Sequence, residues 1–239
     1  MTDSEEEKTN IGRYNEAVRE EWIQNVLTSL PSGLRILDAG AGEQLYRKFC
    51  DHLQYVSQDL GEYTGEGNQT GLQTSKWDYG KLDIISDITS IPEPDNSFDV
   101  ILCSEVLEHI PEPVLAIKEF SRLLKSKGVL ILTAPFCSLT HFAPQHYSTG
   151  FNIYWYMKHL ENNGFEIKNA TVNGNYFQYL GQELHRLSSI AKTYSEDDFT
   201  SDEILAARVI LQMLYRFSEK DKGSYELLNF GFFIVAEKT

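Results

Sequence analysis

Three kinds of feature are scarce in this sequence of 239 residues, and each scarcity excludes a class of protein. The three cysteines, Cys50, Cys103 and Cys137, form neither an even set for disulfides nor a closely spaced metal-ligand pair. No apolar run approaches the ~20 residues that are needed to cross a bilayer. The acidic start, MTDSEEEKTN, lacks the apolar core of a signal peptide. We therefore expect a cytoplasmic protein that has no membrane partner.

Basic side chains are also scarce. The chain has 21 Lys and Arg residues against 35 Asp and Glu residues, which gives a formal net charge of -14. Such a field repels polyanions, so no nucleic-acid partner is expected. The charge also favours solubility, and it leaves the oligomeric state open.

Hydrophobic patterning divides the chain into alternating strands and helices. Residues 1–10 are predicted to be a disordered acidic leader, and residues 11–239 a single domain, because no linker-like stretch divides them. Strand-like runs are found at residues 34–38, 55–59, 82–86, 98–104, 129–133, 165–172 and 230–235. Helices are expected between them, including one over residues 43–51, one at the N-terminus and a helical insertion at about residues 174–225, before the last strand. This alternation predicts an α/β protein with a doubly wound, mostly parallel sheet.

The most informative motif is Ile36-Leu-Asp-Ala-Gly-Ala-Gly42. An apolar strand ends at Asp38, and Gly40 and Gly42 let the backbone turn tightly and approach a ligand. The N-terminus of the expected following helix would favour an anionic group. The dinucleotide fingerprint G-x-G-x-x-G would need a third glycine at Leu45, so this motif disfavours a nicotinamide-dependent oxidoreductase.

Polar residues also end the next three predicted strands: Asp59 the second, Asp87 with Ile88 the third, and Ser104 the fourth. The carboxyl ends of parallel strands meet at one edge of a sheet, where ligands of open α/β sheets bind. Each acid alone fits an ordinary turn or helix cap equally well. Their joint placement indicates the edge of a ligand pocket.

Taken together, these motifs resemble the class I S-adenosylmethionine-dependent methyltransferases, in particular the group that acts on small molecules. The resemblance runs from about residue 34 to residue 136. The glycine motif is similar to the first motif of the family, Asp87-Ile88 with Asn96-Ser-Phe-Asp-Val-Ile101 to its central motif, and Glu105-Val-Leu-Glu-His109 to the segment after the fourth strand. Glu43 departs from the family pattern, since many members have a third glycine there.

The resemblance implies a seven-stranded, Rossmann-like methyltransferase sheet and S-adenosylmethionine as cofactor. Gly40 and Gly42 would approach the methionine part, Asp59 would hold the ribose hydroxyls, and Ser104 would lie near the sulfonium. Asp87 and Ile88 would meet the adenine, while Asp38 orders the turn. The implied cofactor-binding residues are Asp38, Gly40, Gly42, Asp59, Leu60, Asp87, Ile88 and Ser104. The implied reaction is methyl transfer to a small-molecule acceptor, such as a hydroxylated metabolite or a sugar.

Candidates for a general base are His109, His141 and His146, which can equally well cap loops or pack on aromatic rings. The sequence around His141 and His146 has no nearby carboxylate or cysteine cluster, so no metal is predicted. Two other functions stay open. The chain could be a non-catalytic module that binds the same cofactor or serves as an interaction surface, or, less favoured, an NAD-dependent oxidoreductase.

Overall fold

The computed structural model describes residues 8–74 and 76–239, so residues 1–7 of the predicted leader lie outside the described residues. The helices are α1 (Asn15–Ser29), α2 (Pro113–Leu123), α3 (Ile153–Asn162), α4 (Tyr176–Tyr194) and α5 (Ser201–Ser218). The strands are β1 (Arg35–Ala39), β2 (Gln54–Asp59), β3 (Ile84–Ile85), β4 (Phe98–Ser104), β5 (Leu124–Pro135), β6 (Phe165–Asn173) and β7 (Gly231–Lys238). Two compact units are present, one from the chain up to Glu20 with Val172–Phe230, the other from Glu21–Thr171 with Gly231–Thr239. A single domain over residues 11–239 stays a prediction.

The seven strands form one sheet in the order β3-β2-β1-β4-β5-β7-β6. Strands β1 to β5 pair in parallel along this order, and β7 pairs antiparallel with β5. The chain therefore reverses its winding between β1 and β4, which places the carboxyl ends of β1, β2, β3, β4 and β5 at one edge. The predicted fold class, a doubly wound, mostly parallel sheet, is confirmed.

The sheet is held by a core of aliphatic side chains. Ile23 and Leu27 of α1 are fully buried and pack in one cluster with Ile36 of β1, Leu102 of β4 and Ile131 of β5. Strand β4, and strand β5 from Gly128 onward, are almost continuously buried, as expected for parallel strands that are covered on both faces. This burial fixes the strand ends that carry the polar residues.

The unit that contains α4 and α5 has its own small apolar cluster, made of Ile11, Leu211 and Leu214. Helix α5 begins with a capping box, in which the Thr200 hydroxyl accepts from the Glu203 backbone N–H and the Glu203 carboxylate accepts from the Thr200 backbone N–H. These two helices fall within the segment predicted as a helical insertion.

One predicted element is wrong. Residues 43–51 form turns and a short 3-10 helix at Arg47–Phe49 instead of an α-helix. Gln44 has a φ of 57°, in the left-handed region that an α-helix excludes, which interrupts the chain shortly after Gly42. The expected helix N-terminus therefore contributes no dipole to this turn. Among the described residues, no helix is long and apolar enough to span a membrane.

Candidate active site

The backbone turn after β1 is held by the end of β2. The N–H groups of Gly40 and Ala41 both donate to the carbonyl of Gln58, at 2.8 and 2.9 Å. Gly40 and Gly42 have φ values of 75° and 51°, which only glycine adopts at low cost. The turn is thus fixed by backbone geometry and hydrogen bonds.

Asp59 closes the same turn through its side chain. Its Oδ2 accepts from the N–H of Gly42 at 3.0 Å, and its Oδ1 accepts from the N–H of Gly61 at 3.0 Å. Each carboxylate oxygen has a further lone pair, so Asp59 can still accept hydrogen bonds from two ligand hydroxyls. The next residue, Leu60, is 45% exposed and stands at the edge of the turn.

Asp38 lies behind the turn and is almost completely buried. Its carboxyl group accepts a hydrogen bond of 2.5 Å from the hydroxyl of Tyr55. Burial raises the pKa of Asp38 to about 7, with a smaller contribution from the charge of Asp59, while the Tyr55 hydrogen bond opposes the rise. Burial, and next the adjacent Asp38, raises the pKa of the Tyr55 phenol well above its usual value. Asp38 is therefore a buried carboxyl group that holds its proton more readily than an exposed aspartate does.

The other predicted cofactor residues also lie at the carboxyl ends of their strands. Asp87 is exposed and accepts from the backbone N–H and the hydroxyl of Thr89, whereas Ile88 is buried. At the end of β4, the Ser104 hydroxyl hydrogen-bonds the Thr133 hydroxyl at 2.9 Å. The strand ends therefore bring the predicted residues to one edge, and their cofactor roles stay predictions.

The long segment between β2 and β3 folds against the turn. A side chain on Gly42 would meet the Trp77 ring at 2.9 Å, and the amide of Gln44 donates to the carbonyl of Tyr79 at 2.6 Å. The Tyr63 ring packs on Phe142, with centroids 4.6 Å apart. This segment consequently links the turn after β1 to the loop after β5.

The three histidines named from the sequence form one group, the histidine cluster of His109, His141 and His146. Ring centroids are 4.7 Å apart for His109 and His141, 4.8 Å for His141 and His146, and 6.0 Å for His109 and His146. His109 ends a 3-10 helix at Leu107–His109, just after β4, and the other two lie in the loop after β5. The cluster therefore joins residues that are far apart in the sequence.

A buried carboxylate stands inside this cluster. Glu108 is 1% exposed, and its Oε1 is 3.7 Å from Nε2 of His109 and 3.8 Å from Nε2 of His141. The interpretation that no carboxylate lies near the histidines was therefore wrong. The 3-10 helix turns Glu108 inward, and the backbone N–H of Tyr147 donates to the Glu108 carbonyl at 2.9 Å, which ties the two loops together.

Burial lowers the pKa of two histidines of the cluster, His109 and His146. Burial lowers the pKa of His109 to about 4, and the two other histidines lower it further. The hydrogen bond to the Gln145 carbonyl opposes this shift. Burial and the charge of His141 also lower the pKa of His146. His109 is consequently neutral at physiological pH.

Sequence reasoning missed three residues of this edge: Gln58, Tyr55 and Glu108. Gln58 is next to Asp59, and its buried amide donates to the Ser86 carbonyl at 2.7 Å, which supports the turn from below. An uncharged amide at the end of a predicted strand is weak evidence for a functional residue. The evidence for Glu108 was stronger, since it is directly adjacent to His109 in the sequence.

Comparison with known proteins finds relatives of part of this chain. A family model described as a methyltransferase domain matches residues 37–132. A "Ubiquinone biosynthesis O-methyltransferase" of Xanthomonas oryzae pv. oryzae is 35% identical over 106 residues, which are 43% of this chain. The chain spans 43% of the length of that relative in the match.

Two solved structures share the fold. A geranyl diphosphate methyltransferase in complex with GPP and sinefungin has a TM-score of 0.54, with 13% identity, over 94% of this chain and 78% of that one. The [4+2]-cyclase SpnF has a TM-score of 0.55, with 18% identity, over 91% of this chain and 80% of that one. At these identities the likeness shows the fold alone. The matched family model and the sequence relative show that residues 37–132 are similar to a methyltransferase domain, and the solved structures show that the chain shares a methyltransferase-type fold.

Proposed function

We propose that this protein transfers a methyl group from S-adenosylmethionine to an oxygen of a small hydroxylated acceptor. The observation that carries the proposal is the hydrogen bond from Gly42 to Asp59, which fixes a glycine turn and a carboxylate at the same sheet edge as the histidine cluster. One side of this edge is suited to a nucleoside with two ribose hydroxyls. The other side offers groups that accept a proton.

The cofactor side fits S-adenosylmethionine in two respects. The turn is tight because Gly40 and Gly42 have no Cβ atoms, and Val106 and Trp77 pack where those atoms would be. Asp59 keeps lone pairs for the ribose hydroxyls, and Ile88 offers an apolar surface near the adenine side. When bound, the cofactor supplies a methyl group on a positively charged sulfur, so the protein must mainly align the acceptor and exclude water.

On the acceptor side, a hydroxyl group must lose its proton as the methyl group arrives. We assign the role of general base to His146, because the Nε2 atoms of His109 and His141 both face Glu108. The Nε2 atom of His146 lies instead 3.2 Å from the Ser138 hydroxyl. The name of the Xanthomonas relative, an O-methyltransferase, supports oxygen as the accepting atom.

The net charge of -14 favours a small acceptor over a nucleic acid. The rings of Tyr63 and Phe142, which pack on each other beside the cluster, provide an apolar surface for such an acceptor. The acceptor class remains part of the proposal, as does a cytoplasmic location.

The direct test is turnover with cofactor labelled in its methyl group and a fractionated metabolite extract. The proposal expects one or a few small labelled products, together with one S-adenosylhomocysteine for each methyl group transferred. Binding of S-adenosylhomocysteine without any labelled product from extracts of several sources would support the alternative, a non-catalytic module. Stabilisation by NAD(H) and not by S-adenosylhomocysteine would instead favour an oxidoreductase.

A further inference from the structure

The hydrogen bonds of two histidines fix where their lone pairs point. Nδ1 of His109 bonds the carbonyl oxygen of Gln145, and Nδ1 of His141 bonds the carbonyl oxygen of Leu139 at 2.8 Å. A carbonyl oxygen only accepts, so each ring must carry its hydrogen on Nδ1. In the neutral ring, the lone pair is then on Nε2.

These two lone pairs converge on a carboxylate. The Nε2 atoms of His109 and His141 lie 3.7 and 3.8 Å from Oε1 of Glu108, and the three ligand atoms all lie within 4.8 Å of one another. Nε2 of His109 is buried and has no hydrogen-bond partner among the described residues. Two imidazole lone pairs and a carboxylate oxygen at this spacing are a ready set of ligands for a cation, whose charge would offset their mutual repulsion.

We propose that Glu108, His109 and His141 bind a divalent transition-metal cation of the zinc type. Two imidazole nitrogens and one carboxylate oxygen are the donor set of open zinc sites, whereas magnesium prefers oxygen ligands alone. In tetrahedral coordination with bonds of about 2.0–2.1 Å, neighbouring ligand atoms are separated by about 3.4 Å. The two distances to Glu108 exceed this value by a few tenths of an ångström, which small side-chain rotations can close.

The surroundings of the three residues support this assignment. The carbonyls of Gln145 and Leu139 hold both rings from behind, as the outer contacts of metal-binding histidines usually do. The backbone N–H groups of Tyr147 and Ser148 both donate to the Glu108 carbonyl, so the loop after β5 is fixed against the 3-10 helix after β4. Three protein ligands leave a fourth position for water or an acceptor oxygen.

The site can be tested without cofactor or acceptor, so its failure is distinguishable from failure of the proposed methyl transfer. The chain is stripped with a chelator and titrated with Zn²⁺ by calorimetry and with Co²⁺ by visible absorption. We expect one tight equivalent for each chain and the absorption bands of four- or five-coordinate Co²⁺. Glu108→Gln and His141→Gln should each weaken the affinity at least about tenfold.

The matched control is His52→Gln, because His52 bonds the Leu30 carbonyl and lies outside the cluster. This variant should keep the wild-type affinity. Glu108 is buried, so far-ultraviolet circular dichroism must show that its variant is folded, and the half-buried His141 provides a second variant if it is not. The proposal is overturned if the stripped wild type takes up no tight equivalent of Zn²⁺, or if His141→Gln keeps full affinity and the Co²⁺ bands.

Discussion

The two sides of the candidate site are built in different ways. The turn at Gly40 and Gly42 is fixed by hydrogen bonds to Gln58 and Asp59, which are 18 and 17 residues further along the chain, on the next strand. The histidine cluster instead joins the end of β4 to the loop after β5, across 36 residues from His109 to the Gln145 carbonyl. The first side depends on backbone conformation, and the second on side-chain chemistry that only the tertiary fold assembles.

This difference separates binding from chemistry. Substitutions in the turn should reduce cofactor affinity, whereas substitutions in the histidine cluster should reduce turnover and leave that affinity unchanged. Two substitutions, His146→Gln and Asp59→Ala, test this separation, and two others, Asp38→Asn and Gly40→Ala, test the stability of the turn.

The largest effect is expected for His146→Gln. Removing a general base should lower kcat by about 100- to 10,000-fold, because the acceptor hydroxyl then loses its proton unaided. The dissociation constant of S-adenosylhomocysteine should stay within about twofold of the wild-type value. Steady-state kinetics and calorimetry measure the two quantities, with His52→Gln as control. If His146→Gln also weakened the binding of S-adenosylhomocysteine, cofactor binding and catalysis would not be separable in this site.

Asp38→Asn should change the pH dependence of stability. The raised pKa of Asp38, about 7 against an ordinary 3.8, means that the folded state holds this proton more tightly than the unfolded state. The contribution of the protonated Asp38 carboxyl to the free energy of unfolding is therefore fully present below pH 3.8, the ordinary pKa. It is lost as the pH rises through about 7, the pKa in the folded state. The asparagine variant avoids this loss and should be the more stable protein at about pH 8, by up to roughly 4 kcal/mol.

Urea unfolding over a range of pH measures this difference in the free energy of unfolding. The advantage of Asp38→Asn should shrink towards zero in acid, near the ordinary pKa of an aspartate. An advantage that is equal in acid and in mild alkali would show that the Asp38 carboxyl does not titrate between these conditions in the folded protein.

Gly40→Ala tests the backbone side of the comparison. The new Cβ would lie 2.5 Å from a methyl group of Val106, at a residue whose φ is 75°. Left-handed strain and overpacking together should cost roughly 2–4 kcal/mol of stability. Gly33→Ala is the matched control, since Gly33 has a φ of 85° and a Cβ added there would meet no described atom within 4 Å.

Thermal or urea unfolding compares the two alanine variants. Gly33→Ala should lose only the strain contribution of roughly 1–2 kcal/mol, and should bind S-adenosylhomocysteine as the wild type does. Equal losses of stability and affinity in both variants would mean that the approach of Val106 to the turn has no effect.

The smallest effect is expected for Asp59→Ala. Removing this carboxylate should weaken the binding of S-adenosylhomocysteine by roughly 1–3 kcal/mol, since the ribose hydroxyls lose charged hydrogen-bond acceptors. Asp87→Ala, at an exposed position one strand further, provides a comparison on the same edge. Calorimetry measures both, and an unchanged dissociation constant for Asp59→Ala would remove this residue from the cofactor site.

Most of the sheet and the cofactor edge could be predicted because their sequence signals are local. Apolar runs placed all seven strands, although β3 is only Ile84–Ile85, shorter than the run that predicted it. The helix expected over residues 43–51 was wrong because the left-handed Gln44 is held by hydrogen bonds to Tyr79 and Lys81, residues that a local pattern does not see. The residues Asp38 and Asp59 were placed correctly at their strand ends, but the partner of Asp38, Tyr55, was not foreseen.

Only some features of the acceptor side could be predicted from the sequence. Three histidines could be named from their positions relative to β4 and β5, whereas their mutual distances depend on how two loops pack. Glu108 was interpreted as part of a family-like segment and not as a buried charge, since burial of a single glutamate has no periodic signature. Chemistry that depends on such non-local contacts needs the tertiary structure.

The most direct test of the central claim is a crystal structure of the protein with S-adenosylhomocysteine. We expect the nucleoside to lie on the turn at Gly40 and Gly42, with both ribose hydroxyls bonded to Asp59 and the sulfur facing the histidine cluster. A complex in which the nucleoside lies elsewhere, or in which the sulfur points away from His109, His141 and His146, would contradict it.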